Sequence, residues 1–360
     1  MVGRTTPPGG HSAKNRPFVI PVFIPNKGCR HRCVFCDQSA VTGTTRSVPG
    51  ALEIRDRVNR HLDFRGAFRT TTQIAFYGGN FLGLPAKMIS ACLTEAERFV
   101  SDGLVDGIRF STRPDTVSDA SLDRIASFSV TTIEIGVQSM DDRVLRRVRR
   151  EHTAADSRRA VKMLRERGYE VGCQMMVGLP ADDDAGAMAT GLGIASLAPD
   201  FVRIYPTVVL AGTELAQWFQ AARFTPMPLE DCVDLVKRLY LLFCQHGIQV
   251  VRMGLQATEA LDGGKGVIAG PYHPAFGHMV HSKIFFDRAV SAIGELTSAG
   301  CLPPHRVLLH ICPSDESRMR GLKGGNVAAL RDSFPGLEIR IVADAALIPG
   351  TLNVSVSDGR

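Results

Sequence analysis

Three cysteines, Cys29, Cys33 and Cys36, stand within Gly28–Cys36 (GCRHRCVFC) in the spacing C-x3-C-x2-C. Iron–sulfur clusters are held by cysteine thiolates, four of them in the usual 4Fe–4S site. A loop with three leaves one iron without a protein ligand, and an open position marks a metal site that engages substrate or cofactor. Two plainer readings stand beside this one. A structural zinc would need a fourth ligand, and His31 sits too close within the same loop to be an easy one. Three unlinked thiols in a loop is the other.

The elements that must position this loop alternate along the chain. The β-rich run Phe18–Ile24 precedes it, and further strand-like runs are Gln73–Tyr77, Gly107–Ser111, Thr131–Val137, Glu170–Val177 and Asp200–Tyr205. Helical stretches fall between them at Leu52–His61, Pro85–Ser101, Ser118–Phe128, Asp141–Arg150, Thr153–Arg167 and Ala185–Leu197, and Leu229–His246 completes a sixth strand–helix unit. Regular alternation predicts a parallel sheet in an α/β fold. Six units with polar residues just after the strands predict a partial (β/α)6 barrel, whose site gathers at the C-terminal ends of the strands. The cysteine loop falls at such an end.

Composition sets the outer limits. The chain has 360 residues, 44% hydrophobic and 22% charged, as in a soluble globular protein. No apolar run approaches the ~20 residues that span a bilayer, and residues 1–16 lack the apolar core of a signal peptide. They read as a flexible leader. Nine cysteines, three clustered and six scattered, suit a reducing cytoplasm rather than a disulfide scaffold. The net charge of +6 allows an anionic partner without requiring one.

The cysteine loop, with Phe35 before its last cysteine, resembles the cluster-binding loop of the radical SAM superfamily. The resemblance implies a 4Fe–4S cluster on Cys29, Cys33 and Cys36, with S-adenosyl-L-methionine chelating the open iron beside Phe35. Gly78-Gly79-Asn80 occupies the place of the family's Gly-Gly-Glu motif, which contacts the methionine amino group; here Asn80 makes that contact neutral. Thr112, Arg113 and Gln138 stand where strand-mouth residues would bind the ribose and carboxylate of the cofactor, and the Arg113 fork matches a carboxylate. A turn at Gly78-Gly79 and an ordinary ion pair at Arg113 are the plain alternatives. The implied chemistry is reductive cleavage of S-adenosylmethionine, driven by a low-potential donor such as ferredoxin or flavodoxin. The resulting 5′-deoxyadenosyl radical abstracts hydrogen from a substrate.

Six motifs in order, FIPNKGCRHRCVFC, AFYGGN, STRPD, EIGVQS, QMMVGLP and FVRIYPT, are similar to the radical SAM half of the Elongator catalytic subunit, which modifies the wobble uridine of tRNA. The similarity covers Pro17–Gln256. It implies tRNA or another RNA as partner. Two departures follow. No segment after Gln256 reads as an acetyl-CoA site, so the complete carboxymethylation is not expected. Arg150-Glu151-His152-Thr153 stands where relatives tend to read Arg-Gly-His-Thr.

Residues 17–256 are thus read as the barrel, 257–300 as a region covering its mouth, and 301–360 as a small α+β segment. In that segment Gly321-Leu322-Lys323-Gly324 lies between two helical runs flanked by strands, which resembles a KH core whose GxxG loop clamps a nucleic-acid backbone. Gly321, Lys323 and Gly324 are its candidate contacts, and a helix–turn–helix with glycine caps is the plain alternative. The basic run Asp141–Arg167 reads as a solvated helical face. Two other functions stay open on these residues: a radical SAM enzyme acting on a small metabolite or peptide, and a non-enzymatic iron–sulfur RNA-binding redox sensor. The sensor would never cleave the cofactor.

Overall fold

A computed structural model describes residues 3–5, 17–24, 26–37, 48–66, 70–256, 266–298 and 306–356. The chain divides into two compact units, Ala13–Cys232 with Ile248–Pro274, and Met1–Ser12 with Val233–Gly247 and Ala275–Arg360.

The larger unit is built on seven strands: β1 (Phe18–Phe23), β2 (Thr72–Tyr77), β3 (Gly107–Thr112), β4 (Val130–Gln138), β5 (Glu170–Val177), β6 (Phe201–Pro206) and β7 (Gln249–Met253). Each strand lies beside its predecessor, and every pair is parallel. The sheet curls into an open, partial barrel. The first six strands fall where the sequence places them. β7 is a further strand, following the helix Leu229–Gln245.

Side chains alternate across each strand. Ile20, Val22, Ile74, Phe76, Ile108, Phe110, Ile133, Ile135, Val171, Cys173, Met175, Val202 and Ile204 form one buried, apolar set. The intervening residues, among them Tyr77, Arg109, Glu134, Gln174 and Arg203, line a cavity inside the curl. One face therefore supplies hydrophobic stabilisation and the other is polar. Helix starts are fixed locally: Ser118 with Ser121 and Thr153 with Asp156 form reciprocal capping boxes that satisfy the first backbone donors. Within Asp141–Arg167 most cations find neighbours, such as Arg159 with Asp156 and Arg167 with Asp119 and Asp123.

The smaller unit holds a four-stranded sheet ordered Gly3–Thr5, Leu352–Val356, Arg306–Ile311, Glu338–Ala343, with only the last pair parallel. Of the stretch read as a leader, Gly3–Thr5 is thus an edge strand, and residues 6–16 lie outside the described residues. Phe285, Ala289 and Ile293 of the helix Phe276–Ser298 join Val307, Leu309, Met319, Leu330 and Val354 in one core. Gly321–Gly324 separates the helices Glu316–Arg320 and Gly325–Ser333, between the two parallel strands, and Lys323 is exposed with φ +52°. Part of the region read as a mouth cover, residues 257–265, lies outside the described residues; within it Val267–Ala269 pairs with Val209–Leu210 in the larger unit. No helix among the described residues is long and apolar enough to cross a membrane.

Candidate active site

The loop after β1 returns across the C-terminal edge of the sheet, and close backbone contacts hold it there. Gly28 has φ +75°, and a Cβ on it would lie 2.0 Å from the Asn80 carbonyl oxygen. A Cβ on Gly79 would meet the Ile24 and Lys27 carbonyl oxygens at 2.5 and 2.6 Å. Both positions demand glycine because backbones touch there. The Val34 amide donates to the Val148 carbonyl (3.2 Å), and the Val34 carbonyl accepts from the Leu215 amide (2.8 Å), so the loop is clipped from two sides.

Cys29, Cys33, Cys36, Phe35, Gly78, Gly79, Thr112, Arg113 and Gln138 all line one cavity of about 1110 Å³ at the strand ends. Asn80 does not. It is buried behind them, where Nδ2 donates to the Gly28 carbonyl (2.9 Å) and Oδ1 accepts from Thr112 Oγ1 (2.7 Å), the Arg113 amide (3.0 Å) and Thr116 Oγ1 (2.9 Å). In this arrangement Asn80 ties three strand-end loops together. The candidate RNA contacts Gly321, Lys323 and Gly324 belong to the smaller unit.

The cavity wall offers unmet polar groups beside the thiols. Arg113 is buried; Nε and Nη2 pair with Asp115 (2.9 and 3.3 Å), Nη2 also donates to the Arg150 carbonyl (2.8 Å), and Nη1 has no partner among the described residues. Gln138, buried with φ +67°, leaves Oε1 equally unpartnered. A donor and an acceptor orphaned at one wall are what a zwitterionic ligand would satisfy. Burial pushes the Cys36 thiol up to about 12, with Cys33 and Cys29 adding to the effect. Cys29 is raised by burial as well, against the lowering influence of Arg150. Metal-free, such thiols keep their protons, and iron must displace them. The three thiols share one cavity; among the described residues no three His, Cys, Asp or Glu side chains are grouped to hold a single metal ion, so what they could hold is a cluster that bridges them.

Sequence reasoning missed Arg150. Its Nη1 donates to Cys33 Sγ (3.5 Å) and its Nη2 to the Gly136 carbonyl (2.7 Å). Arg149 and Glu151 on either side both have positive φ, +55° and +49°, which turns Arg150 inward. Glu151 holds a left-handed conformation that glycine adopts freely, and its carboxylate lies 2.5 Å from His31 Nε2 in the cysteine loop.

His152, in the same turn, is buried with Nε2 3.1 Å from the Val137 carbonyl oxygen. Burial, then the charges of Arg150 and Arg113, lower its pKa to about 3. Between about pH 6.5 and about 3 the unfolded chain binds this proton and the folded chain does not. Stability therefore falls as pH falls across that window. Acidifying from pH 6.5 to 5 should cost roughly 1.5 to 2 kcal/mol through this group, and His152→Gln should flatten the slope of urea midpoint against pH. An unchanged slope in the variant would reject the assignment.

Below the cysteine loop the lumen holds a charged network that sequence reasoning also missed. Glu134, fully buried, accepts through Oε1 from Tyr77 Oη (2.7 Å), Arg109 Nη2 (2.9 Å) and Arg203 Nη2 (3.1 Å). Oε2 accepts from Gln174 Nε2 (3.0 Å) and lies 2.7 Å from Arg203 Nε. Burial alone would raise this carboxyl; Arg203 and Arg109 outweigh it and hold the pKa below the ordinary value. Burial, then the Glu134 charge, raise the Tyr77 phenol, which stays protonated as a donor. The signal was present: Arg109, Glu134, Gln174 and Arg203 are polar residues at every second position of strands otherwise apolar.

Residues 23–190 match the Radical SAM superfamily and residues 199–285 the Radical_SAM C-terminal domain. A tRNA uridine(34) acetyltransferase of Dehalococcoides mccartyi is 26% identical over 252 residues, 61% of this chain and 55% of that enzyme. The chain thus spans little more than half of that relative. Protein YhcC of Escherichia coli is 25% identical over 241 residues, 64% of this chain and 71% of that one. Among solved structures, the archaeal Methanocaldococcus infernus Elp3 superposes with a TM-score of 0.60 at 19% identity, covering 75% of this chain and 63% of that one. That likeness concerns the fold. With the ordered motifs, the parallel partial barrel and the three-cysteine loop at its mouth, the chain belongs to the radical SAM superfamily of enzymes and resembles the radical SAM half of the Elongator catalytic subunit.

Proposed function

We propose that the protein is a radical SAM enzyme that modifies RNA in the manner of the radical SAM half of the Elongator catalytic subunit. The observation that carries this reading is the convergence on one cavity of Cys29, Cys33 and Cys36 with Arg113 and Gln138, each of which keeps a buried polar atom without a partner among the described residues. With a 4Fe–4S cluster held by the three cysteines, bound S-adenosylmethionine would supply a 5′-deoxyadenosyl radical on reduction by a ferredoxin- or flavodoxin-like donor. Arg113 Nη1 would take the methionine carboxylate as a charge-assisted donor. Gln138 Oε1 would accept from an amino or hydroxyl group, and Gly78 and Gly79 would let backbone approach it. Phe35 would pack on the cofactor, and Thr112 and Asn80 would hold the loops that frame it.

RNA as substrate is supported by the tRNA-acting name of the Dehalococcoides relative. We assign residues 17–256 to catalysis and 301–360 to RNA contact, with Gly321, Lys323 and Gly324 clamping backbone as a KH-type loop does. A reducing cytoplasm suits cysteines that must stay out of disulfides to hold a cluster. A small metabolite or peptide substrate is the second reading, favoured by charged groups set deep in the lumen.

The test is anaerobic reconstitution with iron and sulfide, then assay of 5′-deoxyadenosine with S-adenosylmethionine and dithionite. Product expected from the wild type should rise with total tRNA. An intact cluster that releases none would overturn the enzyme reading in favour of a redox sensor. Product insensitive to RNA would favour the second substrate class.

A further inference from the structure

Among the described residues, three guanidiniums, those of Arg109, Arg203 and Arg252, line the lumen with the carboxylates of Glu134 and Glu170. Arg109 and Arg203 share one carboxylate, Glu134. Arg252 is a third guanidinium, half-buried in the same cavity. Among the described residues it makes no hydrogen bond or ion pair; its electrostatic neighbours are Tyr205, Arg203, Tyr77 and Glu134.

A defect in the sheet puts it there. Val202 of β6 stands opposite Val250 of β7, but Arg203 stands opposite Arg252, so β7 accommodates the extra residue Val251. Such a bulge re-aims a side chain at the expense of regular pairing. Without it Val251 would face Arg203. With it two like charges are set side by side, an unfavourable cross-strand pair. Burial, and with it the charge of Arg203, weakens the hold of Arg252 on its proton. The fold thus bears a bulge, a like-charge pair and a partly desolvated cation that no carboxylate of the described residues contacts, Glu134 acting on it only at a distance.

We propose that the barrel lumen binds the oxyanion end of a small organic molecule, which deepens the small-metabolite reading, with Arg252 receiving its carboxylate or phosphate. The guanidinium fork matches either group. Higher in the cavity Phe23, Phe35, Met176 and Leu210 supply apolar wall for the organic part. The volume of about 1110 Å³ exceeds the ~300 to 1,000 Å³ of most single-ligand pockets. It leaves room for a second molecule beside whatever lies at the cysteine loop. The assignment rests on the radical SAM reading only for calling that second molecule the substrate.

The experiment is ligand-observed NMR on the full chain as purified, with no cluster or S-adenosylmethionine added, so failure of the radical chemistry leaves it untouched. Probes are propionate, glycerol 3-phosphate and the neutral isostere propionamide. The wild type should bind at least one anion about tenfold or more tighter than the amide, the effect of one charge-assisted hydrogen bond. Which anion wins separates carboxylate from phosphate. Arg252→Gln should erase the preference, and Arg252→Lys should keep part of it with stronger salt dependence. Equal binding of anions and amide by the wild type overturns the proposal, as does a folded Arg252→Gln protein that retains the preference. Should Arg252→Gln fail to fold, the wild-type comparison and Arg252→Lys decide.

Discussion

Replacing Cys33 with alanine is expected to bring reconstituted iron down to background and to abolish 5′-deoxyadenosine formation. A 4Fe–4S cluster already one protein ligand short cannot spare another. Cys33 is the buried member of the trio, with Arg150 donating to its sulfur. The apo fold should survive, because the side chain loses one atom and the loop is clipped through backbone at Val34. Iron content, the cluster absorption band and apo melting temperature form the readout. Normal iron in the variant would mean that the cysteine loop does not hold the metal, and the proposed mechanism would go with it.

The second large effect concerns Glu134. Glu134→Leu strands Arg109 and Arg203 in the lumen without their carboxylate, and breaking a buried pair in this way costs about 3–5 kcal/mol. In a chain of this size the melting point should drop by roughly 10 °C. Adding Arg203→Met should recover part of the loss, since removing a cation relieves the imbalance that its absent partner leaves. If the single variant melts with the wild type, the network contributes no net stability. The acid side follows from the lowered carboxyl pKa. Its contribution is complete above the ordinary carboxylate value near pH 4.3 and is lost as pH falls through the lower folded value.

Much of this architecture was legible because the information was local. The runs Phe18–Ile24 through Asp200–Tyr205 announce six strands by β-branched and aromatic residues between helical stretches, and all six form. The cysteine spacing and the glycines after β2 are likewise local, and they meet in one cavity. What escaped depends on distant chain. β7 is five residues long, and its bulge is defined only against β6. Arg150 sits within a basic run that reads as solvated surface; two left-handed neighbours turn it toward Cys33. By its motif position Asn80 reads as a ligand contact. Its side chain is engaged by Gly28, Thr112, Arg113 and Thr116, a set that only the assembled sheet brings together.

The alternation along the strands has an evolutionary corollary. Residues that secure the sheet and residues that furnish the lumen occupy different, interleaved positions of the same short segments. Selection on folding and selection on specificity therefore act on nearly disjoint sets of codons. A lineage could exchange Tyr205 or Arg252 and acquire a new substrate while Ile135, Cys173 and Ile204 stay as they are. The exception is Glu134 with its two arginines, where one residue serves both ends. Drift there would have to pass through an unstable ancestor or change several partners together, so that trio is where divergence among such barrels should be slowest.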